Sequence, residues 1–511
     1  MSDFVPARAG LLPRMAWLHT GVGLLAGWIL YGVFLTGTLS YFRDEITTWM
    51  RPEARPASSA LMEPAEFAQQ AATAMDTQAP RAARWILELP TPRRPAPSAF
   101  WVGESTHGEI VFDGASARPV HVRDTAGGEF FYRFHYQLHY LPHPWGRWIV
   151  GLCSMAMLVG LVTGLIIHRK LFSEFFTFRW GRGPRGWLDA HNALSVFPLP
   201  FHLMIVYSGL VMLAFQYMPW GAIVAYEDPQ QRRAALLAET DASVLSGPPR
   251  GVSAPLANLS PMLREAQWRW GQDGVGTVVV YHPGDGSARV LVARGPQGRI
   301  STRPQYLLFD GTDGTLVQVK DEGGAVAQTR GVLYGLHLGR FADTALRWLY
   351  ALSGLAGTAM IGTGLVLWTA KRREQRRGKD RSVRRWQQME RITVAVIAGL
   401  SVAVATYFWL NRLLPVEWPQ RREWEIQGFF LAWGLMVAHA FLRPAYRAWA
   451  EQWAMAGVML LALAALSAWN PAWTGGLAWG AVEWVLCAIA GVHLLLAVHC
   501  ARYRAHAGPA G

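Results

Sequence analysis

The chain has 511 residues, 51% of them hydrophobic, and a mean hydropathy of +0.14. That is too apolar for a soluble protein and too polar for a bare bundle, so membrane spans must alternate with sizeable extramembrane segments. The net charge of +13 sits in short loops beside apolar runs, where membrane orientation requires it, which excludes nucleic-acid binding as its explanation. Cys153, Cys487 and Cys500 lie in or at the end of apolar runs with no CxxC, CxxCH, zinc or iron–sulfur spacing, which excludes disulfides and covalent cofactor attachment.

Apolar stretches of roughly 20 residues, the length that crosses a bilayer, run over 22–42, 148–167, 193–215 and 346–369, and a second set, two of them shorter, follows over 392–410, 429–442, 454–468 and 477–498. Eight spans are therefore predicted, in a polytopic α-helical membrane protein. Arg8 and Arg14 precede the first, which runs into Arg43-Asp44-Glu45 with no small-residue cleavage site, so it is expected to be a retained helix. Basic clusters follow span two (Arg169, Lys170, Arg179, Arg182, Arg185) and span four (371–385), and these loops should be cytoplasmic. The localisation expected is a bacterial inner membrane, in lipid contact, with both termini cytoplasmic. The divisions expected are span one (1–43), a periplasmic domain (44–144), spans two and three with their basic loop (145–219), and a second periplasmic domain (220–335). Span four (336–370), a basic linker (371–391), spans five to eight (392–501) and a cytoplasmic tail (502–511) follow.

The first half repeats. His19 precedes Gly37 at the same spacing by which His191 precedes Gly209. Spans two and four both carry a Thr-Gly-Leu triplet, Thr163-Gly164-Leu165 and Thr363-Gly364-Leu365, led by His139 and His337 at nearly equal distances before the glycine. Between the spans, alternating apolar residues at 82–89 and 100–112 predict strands ending at Phe112-Asp113-Gly114. Strands at 276–282, 288–293 and 306–310 end at Phe309-Asp310-Gly311, and helical character precedes each set, at 65–75 and 260–268. Two small periplasmic α+β domains are expected.

The run WLDAHNALSVFPLPFHLMIVYSGL from Trp187, the run LHLGRFADTALRWLYALSGLAGTAMIGTGLVLW from Leu336, and the turns FDGASARPV and FDGTDGTLV resemble the PepSY-associated transmembrane family, of the iron-regulated membrane protein and ferric-siderophore reductase type. The resemblance extends from the start of the chain to the neighbourhood of Ala370 and leaves out spans five to eight. It implies that the two α+β domains are PepSY-like, and that the substrate is a ferric chelate.

Histidines inside apolar helices are costly unless partnered and are candidate functional residues for that reason. His19 and His191 stand at the cytoplasmic start of outgoing helices in matching repeat positions, where each could give an imidazole to one b-type haem. His139 and His337 stand at the outer start of returning helices, which predicts a second haem b. His202, roughly three helical turns beyond His191 with Pro198 and Pro200 between, is an alternate outer ligand, and His168 is a third candidate at the inner level. His135 and His143 flank His139, so the outer ligand stays open among them; His439 and His493 could hold a further haem or join helices. Neither a Rossmann nor a Walker pattern is present, so the electron donor expected is a quinol or a separate cytoplasmic reductase. The acceptor implied by the resemblance is a ferric siderophore or another periplasmic oxidant, through a transmembrane ferric-chelate reductase. The rival reading is a non-redox partner-binding or permease subunit of metal uptake, with histidines that serve helix packing.

Overall fold

The computed structural model describes residues 10–55, 60–103, 106–142, 144–168, 183–225, 228, 247–375, 380–470 and 480–505. Arg169, Lys170, Arg179 and Arg182 of the basic loop, and His143, lie outside the described residues. In chain order the helices are α1 (Leu11–Ser40), α2 (Arg43–Met50), α3 (Pro64–Gln78), α4 (Glu129–Gln137), α5 (Trp145–Ile167), α6 (Gly183–Val196), α7 (Leu199–Met212), α8 (Ala214–Tyr217), α9 (Trp220–Ala225) and α10 (Leu259–Trp270). They continue with α11 (Ala325–Leu338), α12 (Thr344–Gln375), α13 (Asp380–Leu413), α14 (Arg421–Leu442), α15 (Ala445–Trp469) and α16 (Ala481–Ala505). The strands are β1 (Arg84–Glu88), β2 (Ser98–Val102), β3 (His107–Phe112), β4 (Pro119–Val120), β5 (Val275–Tyr281), β6 (Arg289–Arg294), β7 (Tyr306–Asp310) and β8 (Leu316–Lys320).

Among the described residues seven helices, α1, α5 and α12 to α16, are long and apolar enough to cross a membrane. The pair α6–α7 is an eighth if it counts as one span, and it is bent by 68°. Proline accounts for the bend. Pro198 has no N–H to continue the ladder, and Pro198 and Pro200 each disfavour the helical region in the residue before them. The chain is a polytopic helical membrane protein.

It divides into two compact units. The first comprises Met1–Met50, Asp124–Leu210 and Trp348–Gly511, and so contains most of the membrane helices. Residues 124–142, part of the segment expected in the first periplasmic domain, belong to the unit of these helices instead. The reason is apolar surface: Phe130 and Phe131 of α4 are buried and meet Tyr407 at 4.9 and 5.4 Å between ring centroids, and Phe130 meets Phe429 at 5.0 Å. A buried polar knot lies beside this aromatic core. Arg421 and Glu425, one turn apart on α14, pair with both side chains wholly buried. Thr125 donates to Glu425 at 2.5 Å, Asn411 donates to it at 2.9 Å, and Arg421 donates to the Asn411 carbonyl at 2.6 Å. Arg412 lies 4.0 Å over the Trp49 ring, whose indole N–H donates to Glu483 at 2.8 Å. Buried charge survives in such a site only when its partners are built in, and here they come from α2, α13, α14, α16 and the 124–128 segment.

The second unit comprises Arg51–Arg123 and Val211–Arg347. The two expected α+β domains contribute four strands each to one antiparallel sheet of order β4-β3-β2-β1-β5-β6-β7-β8. The seam is β1 against β5, in register from Arg84↔Tyr281 to Glu88↔Thr277. Helices α3 and α10 share one core with one face of this sheet, Phe67, Met75, Met262 and Leu263 burying Trp85, Leu87, Val278, Val280, Val292 and Phe309. Both halves thus bury their helices against one continuous sheet and share a single core. The repeated Phe-Asp-Gly closes equivalent turns, with Asp113 accepting from the amides of Ala115 and Ser116 and Asp310 from the amide of Thr312.

Candidate intramembrane histidine site

His19 sits early in α1 and His191 in α6, both inside the membrane unit. Each is held by a neighbouring helix in the same way. The His19 Nδ1–H donates to the Gly160 carbonyl of α5 at 2.9 Å, and the His191 Nδ1–H donates to the Met360 carbonyl of α12 at 2.9 Å. With the proton on Nδ1, the lone pair of each neutral imidazole is on Nε2, the arrangement that carbonyl partners impose on ligating histidines. The glycines of the repeated triplet make room: a Cβ on Gly164 would stand 3.2 Å from His19 Cε1, and one on Gly364 would stand 3.1 Å from His191 Cε1. The matching triplets are thus the two walls behind two matching imidazoles.

The two rings stand edge-on with centroids 6.2 Å apart and planes at 73°. Two imidazoles binding one metal from opposite sides stand with centroids roughly 6 Å apart, the sum of two bonds of about 2 Å and two ring radii of about 1 Å. They open into a cavity of about 670 Å³ bounded by α1, α5, α6, α7 and α12, within the ~300–1,000 Å³ range of cofactor sites. His168, at the end of α5, also lines it. Among the described residues no three His, Cys, Asp or Glu side chains converge on one point.

His202 is wholly buried on α7, with Nε2 3.3 Å from the Ser353 carbonyl and Nδ1 without a hydrogen-bond partner. It packs against Phe34 of α1 at 6.4 Å and lies beside Gly357 of α12. His135, in the last turn of α4, repeats the inner pattern: its Nδ1–H donates to the Val33 carbonyl at 2.7 Å, and a Cβ on Gly37 would stand 2.6 Å from that nitrogen. His135 and His202 thus flank the same turn of α1, at the far end from His19. His139 goes elsewhere. Leu138 and Tyr140 on either side have positive φ, and the His139 ring stacks on Phe430 at 5.5 Å and 18°. His337 stands in the last turn of α11, in the second unit. Gly37, the glycine that the repeat spacing ties to His19, is the sequence feature that marks where the His135 ring packs.

In the C-terminal helices, His439 is engaged at both nitrogens, by Glu451 at 2.9 Å and Gln452 at 3.2 Å, and His493 donates to the Ile489 carbonyl one turn back at 2.7 Å. His439 is a clasp between α14 and α15, while the His493 ring packs on Trp453 at 4.9 Å.

Fold and site together define a class: a polytopic helical membrane protein whose repeated halves each present a carbonyl-held imidazole to a common intramembrane cavity, and which carries an antiparallel α+β unit. The chain belongs to the family described as the PepSY-associated TM region, whose model matches residues 16–371. The matched region contains both triplets, His19, His135, His191 and His202, and all eight strands. It is also similar to a protein of Pseudomonas aeruginosa named "Uncharacterized protein PA4219", with 26% identity over 325 residues that cover 58% of this chain and 76% of the relative.

Proposed function

We propose that this protein binds haem b in its membrane helices and carries electrons across a bacterial inner membrane, from the cytoplasmic side or the quinol pool to a periplasmic acceptor, with a ferric siderophore as that acceptor. The observation that carries the reading is the His19–His191 pair: rings with centroids 6.2 Å apart, each with Nδ1 held by a carbonyl. When bound, haem iron would supply a one-electron couple, and the chain's part is to hold it, orient it and set its potential. His19 and His191 would hold it, while Gly160 and Met360 raise imidazole basicity through the Nδ1–H bonds.

His135 and His202 are the proposed outer ligands, in place of the expected pair His139 and His337, the second of which stands in the other unit. His135 repeats the carbonyl-held geometry, and His202 has a buried nitrogen that a metal would satisfy. Along α1, His19 and the Val33–Gly37 turn are separated by roughly 21–27 Å at about 1.5 Å per residue, so two levels of ligands would serve the two faces of a core about 30 Å thick. The positive-inside pattern supports cytoplasmic termini and a periplasmic sheet unit.

The test is the visible spectrum and pyridine-haemochrome count of the detergent-purified protein, beside His19→Ala, His135→Ala and His337→Ala. Two b-type haems per chain are expected, with one lost in His19→Ala and one in His135→Ala. A protein with no Soret band after expression with ample haem would overturn the reading and favour the partner-binding one.

A further inference from the structure

The cavity between His19 and His191 is charged at one end only. Most of its lining is apolar or small, whereas Lys371 and Arg372, from the end of α12, line it together with His168 from the end of α5. No carboxylate is among the described residues that line it. The Arg372 guanidinium lies over the Trp386 ring at 5.5 Å, a contact that restricts where this long side chain points. Orientation by the membrane explains why cations stand near this end of α12, but it does not require them to line a cavity. The shape and charge together select a ligand with a flat apolar body and acidic groups at one edge.

We propose that Lys371 and Arg372 bind the carboxylates of the macrocycle held by His19 and His191, and so fix its acidic edge at the α12 end of the cavity. This rests on the haem reading above and adds the residues that decide which way round the group sits. A carboxylate drawn into this cavity must give up water, which is unfavourable unless a cation and its N–H donors replace it. Arg372 offers a planar fork for one carboxylate, and Lys371, more exposed, offers a point charge for the second. His168 lines the same cavity. The apolar edge then lies against the side of the cavity lined by Leu24 and Leu30 of α1.

The experiment compares protohaem with its dimethyl ester, which lacks both charges. Full-length protein made in haem-depleted cells is titrated with each, and binding is read from the part of the Soret absorbance that His19→Ala abolishes. The wild type should bind protohaem on the order of tenfold more tightly than the ester. The Lys371→Gln/Arg372→Gln variant should bind the two alike, with ester affinity unchanged, which also shows that the cavity is intact. Equal binding of both by the wild type, or a preference that survives in the double variant, overturns the assignment and leaves the haem reading standing. No His19-dependent Soret band with either ligand overturns both.

Discussion

His19 and His191 are held at the same atom by the same kind of partner: each Nδ1–H donates at 2.9 Å to a carbonyl one helical turn before a triplet glycine, Gly160 before Gly164 and Met360 before Gly364. The equivalence is that of the two repeats. Two imidazoles held by the same kind of contact on two helices thus come together with ring centroids 6.2 Å apart.

The triplet glycines should therefore be intolerant of bulk. Gly364→Leu places carbons where His191 Cε1 now stands 3.1 Å from a hypothetical Cβ, and the ring must leave the carbonyl of Met360. The expected outcome is loss of about one of two haems per chain in the pyridine-haemochrome assay. Gly164→Leu should do the same through His19, and Gly434→Leu, where a Cβ meets nothing within 4 Å, should leave the count unchanged.

His135 and His139 separate cleanly by substitution. His135→Phe removes the bond to the Val33 carbonyl and crowds Gly37, and should abolish the outer haem signal in low-temperature absorption spectra. His139→Phe keeps an aromatic ring on Phe430 and should leave that spectrum as it is. The reverse result would return the outer ligand to His139.

The Arg421–Glu425 knot should behave as a buried ion pair. Glu425→Leu strands a buried guanidinium and is expected to cost about 3–5 kcal/mol, while Arg421→Met/Glu425→Leu removes both charges and should recover most of the loss. Thermal unfolding of the detergent-solubilised protein, followed by tryptophan fluorescence, ranks the two. A single variant as stable as the wild type would show that the knot does not hold α13 and α14 to the 124–128 segment.

Asp285 gives a pH dependence outside the membrane. The hydroxyl of Ser287, then the amides of Ser287, Arg250 and Gly251, hold its carboxyl well below the usual carboxylate range. A depressed folded-state value contributes stability that is present above the unfolded value of about 4 and is lost as pH falls through the folded one. Amide exchange at Arg250 and Gly251 should thus be protected at neutral pH and lose protection in strong acid, with Asp285→Asn weakly protected at both. Protection in the variant equal to that of the wild type at neutral pH would remove the carboxylate from the account.

Much of the fold is local, and that part is legible in the residues themselves. An apolar run of about 20 residues is a span wherever it occurs, so α1, α5 and α12 to α16 follow from the sequence. The bend between α6 and α7 follows from Pro198 and Pro200, and the Asx turns after β3 and β7 from Phe-Asp-Gly. Equal spacing in the repeat also puts His19 and His191 at one height, which is why their meeting in one cavity is intelligible from the chain alone.

Tertiary structure decided what depends on partners far along the chain. That α4 packs under Tyr407 and Phe429 could not be read from 124–144, because its aromatic face is equally suited to a soluble core. That two α+β segments form one sheet depends on β1 meeting β5 from the other half of the repeat, and strand patterning states which face is apolar without naming the neighbour. That His135 meets the Val33 carbonyl while His139 stacks on Phe430 depends on backbone geometry at Leu138 and Tyr140, and the engagement of His439 rests on a helix hairpin bringing Glu451 and Gln452 to it. Spacing along one helix sets the height of a side chain; only the packing of several helices sets what it faces.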